Sequence, residues 1–302
     1  MTKGFVTIAT GQERYFELAR NLLRSYRLFA SEKYPFAIIC DKKNQYTEEF
    51  DDVILLNHAY CNYLDKLQLY EYLPYDETIF IDADSLAYGD LDEWWYIFRD
   101  ADDFALFGYM WTNLDSGRGW FVPSGLKEYQ NQVRFIPDFN GGIYYMRRGE
   151  RCKEVFRLAN YFAAHFGDYT FNGFAEPADE PVLALAMAVQ NCHPLDIMEG
   201  GMVFAPSKRQ LELDITVPSA YYRRIENQVY HVKLIHWSNY RTKLALYRFE
   251  VEKMSCLIDG TFVSRRYSFW HRYRLRYYFL CIGNIRAYVG RLTGKIKRVL
   301  CR

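Results

Sequence analysis

The feature that most constrains this chain is a set of four short apolar runs in its first ninety residues, each ended by polar or turn residues. Phe5-Val6-Thr7-Ile8-Ala9 stops at Thr10-Gly11, and Phe36-Ala37-Ile38-Ile39-Cys40 stops at Asp41. Val53-Ile54-Leu55-Leu56 is the third run, and Thr78-Ile79-Phe80-Ile81 leads into Asp82-Ala83-Asp84. Between the first two runs, Phe16, Ala19, Leu22, Leu23 and Tyr26 recur at helical spacing. A second helix is expected over 62–73, closed by Pro74. Uninterrupted strands separated by helices predict an α/β fold with a mostly parallel sheet covered on both faces. Ligands of such sheets gather outside the carboxyl ends of the strands, so the residues that follow each run are the candidates for function.

Beyond residue 90 the pattern loosens. A strand is expected over 142–147, helices over 150–166 and 180–189, and a further strand over 230–237. Residues 109–138 are rich in Gly, Asn, Trp and Pro and read as loops. Their Trp111 and Trp120 are equally consistent with a ligand-facing surface, core packing or a mobile lid. The seven cysteines are scattered without a CxxC pair, which predicts neither a disulfide framework nor a thiolate zinc site and points to a reducing compartment. No secretory signal or membrane-spanning run is recognisable, so a cytoplasmic location is expected.

The formal charge of +1 conceals a division of the chain. Residues 260–302 hold eleven Lys and Arg and no Asp or Glu, which leaves 1–259 with a net charge of −10. The expected organisation is a catalytic domain over 1–259 and a helical, basic, aromatic tail over 260–302. Rings interleaved with arginines suit attachment to an anionic membrane surface, at about 1 kcal/mol per cation. RNA binding and docking on the acidic body are the competing readings of the tail, and nucleic acid is not the expected partner.

Asp82 and Asp84 are i and i+2 at the end of a strong strand, so in extended conformation their carboxylates point to one side. Two such carboxylates repel unless a cation lies between them, and hard oxygen ligands suit Mg²⁺ or Mn²⁺. The alternative is a solvated Asp-rich turn.

The ordered set Asp65-Lys66-Leu67, Ile79-Phe80-Ile81-Asp82-Ala83-Asp84, Gly89-Asp90-Leu91, Phe139-Asn140-Gly141-Gly142, Asp179-Glu180 and Ile235-His236-Trp237, with Lys243 beyond, resembles the GT-A glycosyltransferases. The resemblance is to the group of glycogenin, galactinol synthases and lipopolysaccharide galactosyltransferases, and it covers about residues 5–245. It implies a metal-dependent transferase that moves a hexose from a UDP-sugar to a glycan or lipid-linked acceptor with retention. Asp82, Asp84 and His236 would hold Mn²⁺ or Mg²⁺. Ala9, Thr10, Tyr15, Asp41, Lys66, Ala83, Asn140, Gly141 and Gly142 would bind the nucleotide-sugar. Asp179, Glu180 and Lys243 would serve catalysis.

Two positions depart from the group's pattern. Gly141 stands where the group has Ser, and Glu180 stands where it has Gln, which leaves the anomeric outcome open. A carboxylate at 180 is able to act as nucleophile or base; a helix-start acid beside Pro181 is the structural alternative. Two other functions compete: a haloacid-dehalogenase-like phosphatase using Asp82 and Asp84, and a non-catalytic sugar-binding protein.

Overall fold

In the computed structural model, described over residues 1–196, 201–204, 211–217, 219–223, 229–243 and 245–261, the chain falls into two compact units, Met1–Asn239 and one that begins at Tyr240. The tail 262–302 lies outside the described residues. Among the described residues, no helix is long and apolar enough to cross a membrane.

The first unit opens with β1 (Lys3–Ala9), α1 (Glu13–Phe29), β2 (Phe36–Cys40), β3 (Asp52–Leu55), β4 (Glu77–Ile81) and β5 (Ser85–Ala87). It continues with α2 (Trp94–Ile97), β6 (Phe104–Ala105), β7 (Phe107–Trp111), β8 (Ile136–Phe139), β9 (Ile143–Arg147), α3 (Glu150–Ala164) and α4 (Asp179–Val189). Short strands complete it: β10 (Leu195–Asp196), β11 (Met202–Phe204), β12 (Leu211–Asp214), β13 (Ser219–Arg223), β14 (Val229–His231) and β15 (Leu234–His236). The second unit contains the helix Ala245–Ile258.

Six strands form the central sheet in the order β3-β2-β1-β4-β9-β6. The four runs read from the sequence are its parallel members, β3, β2, β1 and β4, and β9 lies antiparallel to β4 and β6. From β1 the chain passes outward to β2, and β4 returns to the other side of β1. The carboxyl ends of β1 and β4 therefore flank the switch point where such sheets bind ligands. β2 and β4 are buried at every residue because both faces of the sheet are covered there, whereas β3 at the sheet edge is exposed at Asp52 and Leu55. On one face α1 buries Phe16, Ala19, Leu22, Leu23 and Tyr26, the same residues that set its period.

Three smaller sheets accompany it, in the orders β10-β7-β8, β11-β15-β5 and β12-β13-β14. Three expectations are corrected here. The segment over 62–73 is a 3-10 helix, Tyr63–Tyr72, started by the Asn62 side chain, which accepts from Leu64 N–H. Residues 109–138 are not all loop, because β7 pairs antiparallel with β8 through Tyr109 and Asp138. The single strand expected over 230–237 is two, β14 and β15, which belong to different sheets.

Behind the site, the Gly89-Asp90-Leu91 segment serves the scaffold. Asp90 Oδ1 accepts Asp92 N–H at 2.9 Å, and buried Asp92 accepts from Tyr26 Oη at 2.8 Å, Glu32 N at 2.7 Å and Lys33 N at 3.1 Å. This carboxylate ties the end of α1 to the segment after β5. Replacing Asp92 with Ala leaves these donors without their charged acceptor, so urea unfolding should show a loss of about 3 kcal/mol.

Candidate active site

The site is built where β4 ends. Asp82 N–H donates to Gly142 O at 2.9 Å, and Ser85 N–H closes a turn on Asp82 O at 3.1 Å. Asp82 and Asp84 thus converge through a turn, not through the extended alternation read from the sequence. Buried Ala83 is the turn's inner residue. β5 then pairs antiparallel with β15, with His236 opposite Ser85, and Trp237 N–H donates to Asp84 O at 2.8 Å. This register sets the imidazole beside the two carboxylates. His236 Nε2 lies 2.9 Å from Asp84 Oδ1 and 3.6 Å from Asp82 Oδ2.

One ligand atom from each of Asp82, Asp84 and His236 falls within a 4.8 Å span. His236 Nδ1 lies 2.7 Å from Asn140 Oδ1, an acceptor for a proton on Nδ1 that would leave Nε2 to an ion. Two carboxylates and an imidazole in this tautomer fit Mn²⁺ or Mg²⁺, and the nitrogen favours Mn²⁺. The acids favour positive charge between them, which a proton on the imidazole also supplies. Burial pushes the Asp82 carboxyl above its ordinary range, against the pull of Lys66, and Asp84 adds to the rise. Burial acts the same way on Asp84, but the neighbouring His236 prevails and holds it below the ordinary range. Burial disfavours the charged imidazole, and Asp84 and Asp82 outweigh it, so His236 is raised.

Lys66 projects from the 3-10 helix into the same place. Its buried ammonium donates to Asp82 Oδ2 at 2.8 Å and to Gly141 O at 3.0 Å, and it lies 3.0 Å from Asp179 Oδ2. Burial lowers its affinity for the proton, but Asp179 and Asp82 more than reverse this, and the amine stays charged. Tyr144 Oη donates to the same Asp179 oxygen at 2.8 Å. Beside it Glu180 Oε1 accepts from Asn140 Nδ2 at 2.9 Å and from Gly141 N at 2.8 Å. Burial raises the Glu180 carboxyl and Asp179 adds to it, while the Gly141 N–H works in the opposite direction.

The two glycines are required by this crowding. A Cβ on Gly141 would sit 2.5 Å from Tyr144 Oη and 2.8 Å from Asp179 Oδ2, so the Ser of the resembled group has no room here. A Cβ on Gly142 would sit 2.9 Å from both Asn140 Oδ1 and His236 Nδ1, in the bond that orients the imidazole.

At the ends of β1 and β2 lies a second cluster. Thr10 Oγ1 donates to buried Asp65 Oδ2 at 2.7 Å, and Gly11, with φ +74°, donates its N–H to Asp41 Oδ2 at 3.2 Å. The other Asp41 oxygen is buried and has no partner among the described residues, so it is an acceptor suited to a hydroxyl or a base N–H. Buried Ala9 precedes this turn, and Tyr15, 40% exposed, follows it on the first turn of α1. The structure thus brings Asp82, Asp84, His236, Lys66, Asn140, Gly141, Gly142, Asp179 and Glu180 together, and groups Ala9, Thr10, Tyr15 and Asp41 at the neighbouring strand ends. Lys243 belongs to the second unit.

Sequence reasoning passed over Tyr144 and assigned no role to Asp65. Tyr144 reads as one more aromatic in a buried strand, and nothing in the local sequence marks its hydroxyl. Asp65 adjoins Lys66 in the motif itself, and its place before a basic site residue was the available signal.

No protein-family model and no curated protein matches the chain. Solved structures do. The arrangement is the GT-A fold, and the chain resembles the galactosyltransferase group that has it. An active-site mutant of LgtC, in which glutamate replaces a glutamine, superposes with TM-score 0.51 at 15% identity over 88% of this chain and 99% of that one. The galactosyltransferase LgtC in complex with donor and acceptor sugar analogs gives TM-score 0.50 at 13% identity with the same coverage. At these identities the likeness is one of fold.

Removing the Lys66 charge alone should be costly. Lys66→Met strands Asp82 and Asp179 and is expected to lower stability by about 3–5 kcal/mol. Adding Asp179→Asn should recover a large part of that loss, which equilibrium unfolding of both variants will measure.

Proposed function

We propose that this protein is a metal-dependent glycosyltransferase that transfers a hexose from a UDP-sugar to a glycan or lipid-linked acceptor. The observation that carries the reading is the Asp82, Asp84 and His236 constellation, gathered within 4.8 Å at the end of β4 beside the sheet's switch point. A bound Mn²⁺ or Mg²⁺ would offset the charge that grows on the departing nucleoside diphosphate.

The chain's own residues supply the rest. Asp41, Thr10 and Tyr15 surround the ends of β1 and β2, where a uridine and its ribose would lie. The Asn140-Gly141-Gly142 segment would border the donor sugar, its glycines leaving the room that Tyr144, Asp179 and His236 occupy. Lys66 holds Asp82 and Asp179 at fixed separation, so the acids do not repel each other before the donor arrives. Glu180, pinned through one oxygen by Asn140 and Gly141, presents a carboxylate at the glycine loop, where it would face the anomeric carbon of a bound donor.

The phosphatase reading fares worse on topology. The Lys66 bond to Asp82, at 2.8 Å, fits either reading, and the topology decides. The phosphatase motif follows the first strand of its fold, and here Asp82 follows β4. A sugar-binding protein without catalysis could use the same three ligands, and release of UDP from the donor is what separates it from a transferase.

Three outcomes are expected. With Mn²⁺, the protein should bind UDP and release it from a UDP-hexose, and Asp84→Ala should abolish metal-dependent UDP binding with the fold intact by circular dichroism. Unchanged affinity would overturn the assignment. Product NMR should show retention. The acid limb of the kcat/KM profile should lie above the ordinary glutamate value of 4.5, because burial raises Glu180, and should vanish in Glu180→Gln.

The basic tail over 260–302 we assign to an anionic membrane surface, which would put the enzyme on the cytoplasmic face beside a lipid-linked acceptor. Deleting 265–302 should release the protein from anionic vesicles in a sedimentation assay while sparing donor hydrolysis.

A further inference from the structure

β7 and β8 carry an aromatic and basic shelf that the metal constellation does not use. Tyr109 and Trp111 are i and i+2 on β7 and share one face, with ring centroids 5.8 Å apart. Tyr109 pairs across the sheet with Asp138, whose Oδ2 accepts from Trp111 Nε1 at 3.0 Å. The exposed Arg118 lies over the Trp111 ring, its guanidinium carbon 4.3 Å from the centroid. Among the described residues no carboxylate pairs with Arg118.

The loop that carries Arg118 is held in place. Gly119, at φ +78°, packs where a Cβ would overlap the Ile136 side chain of β8. Trp120 Nε1 donates to Phe139 O at 3.1 Å, one residue before Asn140. Asn172 Nδ2 donates to Gly119 O at 3.0 Å and Asn172 N to Trp120 O at 2.8 Å, on the segment that leads into Asp179 and Glu180. The shelf is therefore anchored to both walls of the donor site. At about 3.3 Å per residue, Asp138 stands about 7 Å along the strand from Asn140. That is close to the width of one sugar ring.

We propose that Tyr109, Trp111, Arg118 and Asp138 form the acceptor subsite, and that it takes a saccharide bearing an acidic group. The inference rests on the glycosyltransferase reading above. Tyr109, 40% exposed, offers a ring face for the apolar side of a pyranose. The free oxygen of Asp138 accepts from ring hydroxyls. Arg118, stacked on Trp111 and without a counter-ion among the described residues, supplies the planar fork that a carboxylate or phosphate substituent engages in two parallel hydrogen bonds. A neutral sugar would leave that fork unanswered.

The test uses the full chain with Mn²⁺ and UDP, and saturation-transfer NMR with three probes: methyl β-glucoside, methyl β-glucuronide and glucose 6-phosphate. An acidic probe is expected to bind at least tenfold more tightly than the glucoside. Preference for glucuronide or for the phosphate tells which acid the subsite takes. Arg118→Gln should erase the preference, and Tyr109→Ala should weaken all three probes by about tenfold. Both substitutions are at the surface and should leave metal-dependent UDP affinity unchanged. Equal binding of the glucoside and the acidic probes overturns the charge selection, and no binding of any probe with UDP affinity intact overturns the subsite. Absence of metal-dependent UDP binding overturns the parent reading instead, and probe binding in that case overturns the shelf as an acceptor site.

Discussion

The ammonium of Lys66 is the contact on which the site depends. It holds Asp82, from the turn after β4, and Asp179, from the start of α4, within 3.0 Å of one nitrogen. Two carboxylates in a place this enclosed cannot both stay ionised without a cation among them. The same nitrogen binds the Gly141 carbonyl, so the glycine loop is fixed to both acids by a single charge. Tyr144 completes the arrangement from the neighbouring strand. A buried ion pair of this kind contributes little net stability compared with apolar packing, and its return is placement.

Placement elsewhere in the site follows from register. His236 reaches Asp84 because β15 pairs with β5 one residue beyond it, and Asn140 orients the ring because β8 ends where it does. A shift of one residue in the β15–β5 pairing would turn the imidazole to the opposite face of its sheet. The glycines at 141 and 142 belong to the same logic. They are absences of side chain where the carboxylates, the tyrosine and the imidazole have taken the volume.

How much of this the sequence disclosed follows the range of the physics involved. The parallel strands were legible because burial on both faces leaves an unbroken apolar run, and α1 because its buried residues repeat every turn. Asp82 and Asp84 were legible because they end such a run. The 3-10 character of Tyr63–Tyr72 was not, since helical spacing over ten residues looks alike in both forms, and the choice is made by what the segment packs against. The β7 and β8 pairing hid behind Gly, Asn and Pro that read as loop. Tyr144 hid among core aromatics, because a single hydroxyl leaves no mark on hydropathy. His236 was reached through resemblance, and pairing across the fold explains it.

The distance along the chain between the ligands has a consequence for how the protein comes to be made. Asp82 and Asp84 are in place once the first strands assemble, whereas His236 arrives only when β15 closes against β5, on the far side of some 150 residues. Joining segments so far apart costs loop entropy that earlier contacts do not repay, so this closure falls late. An ion held by all three ligands would bind the finished fold and ignore its precursors, and by mass action would draw the last step to completion. With such an ion bound, the constellation would act as a latch on the assembled domain.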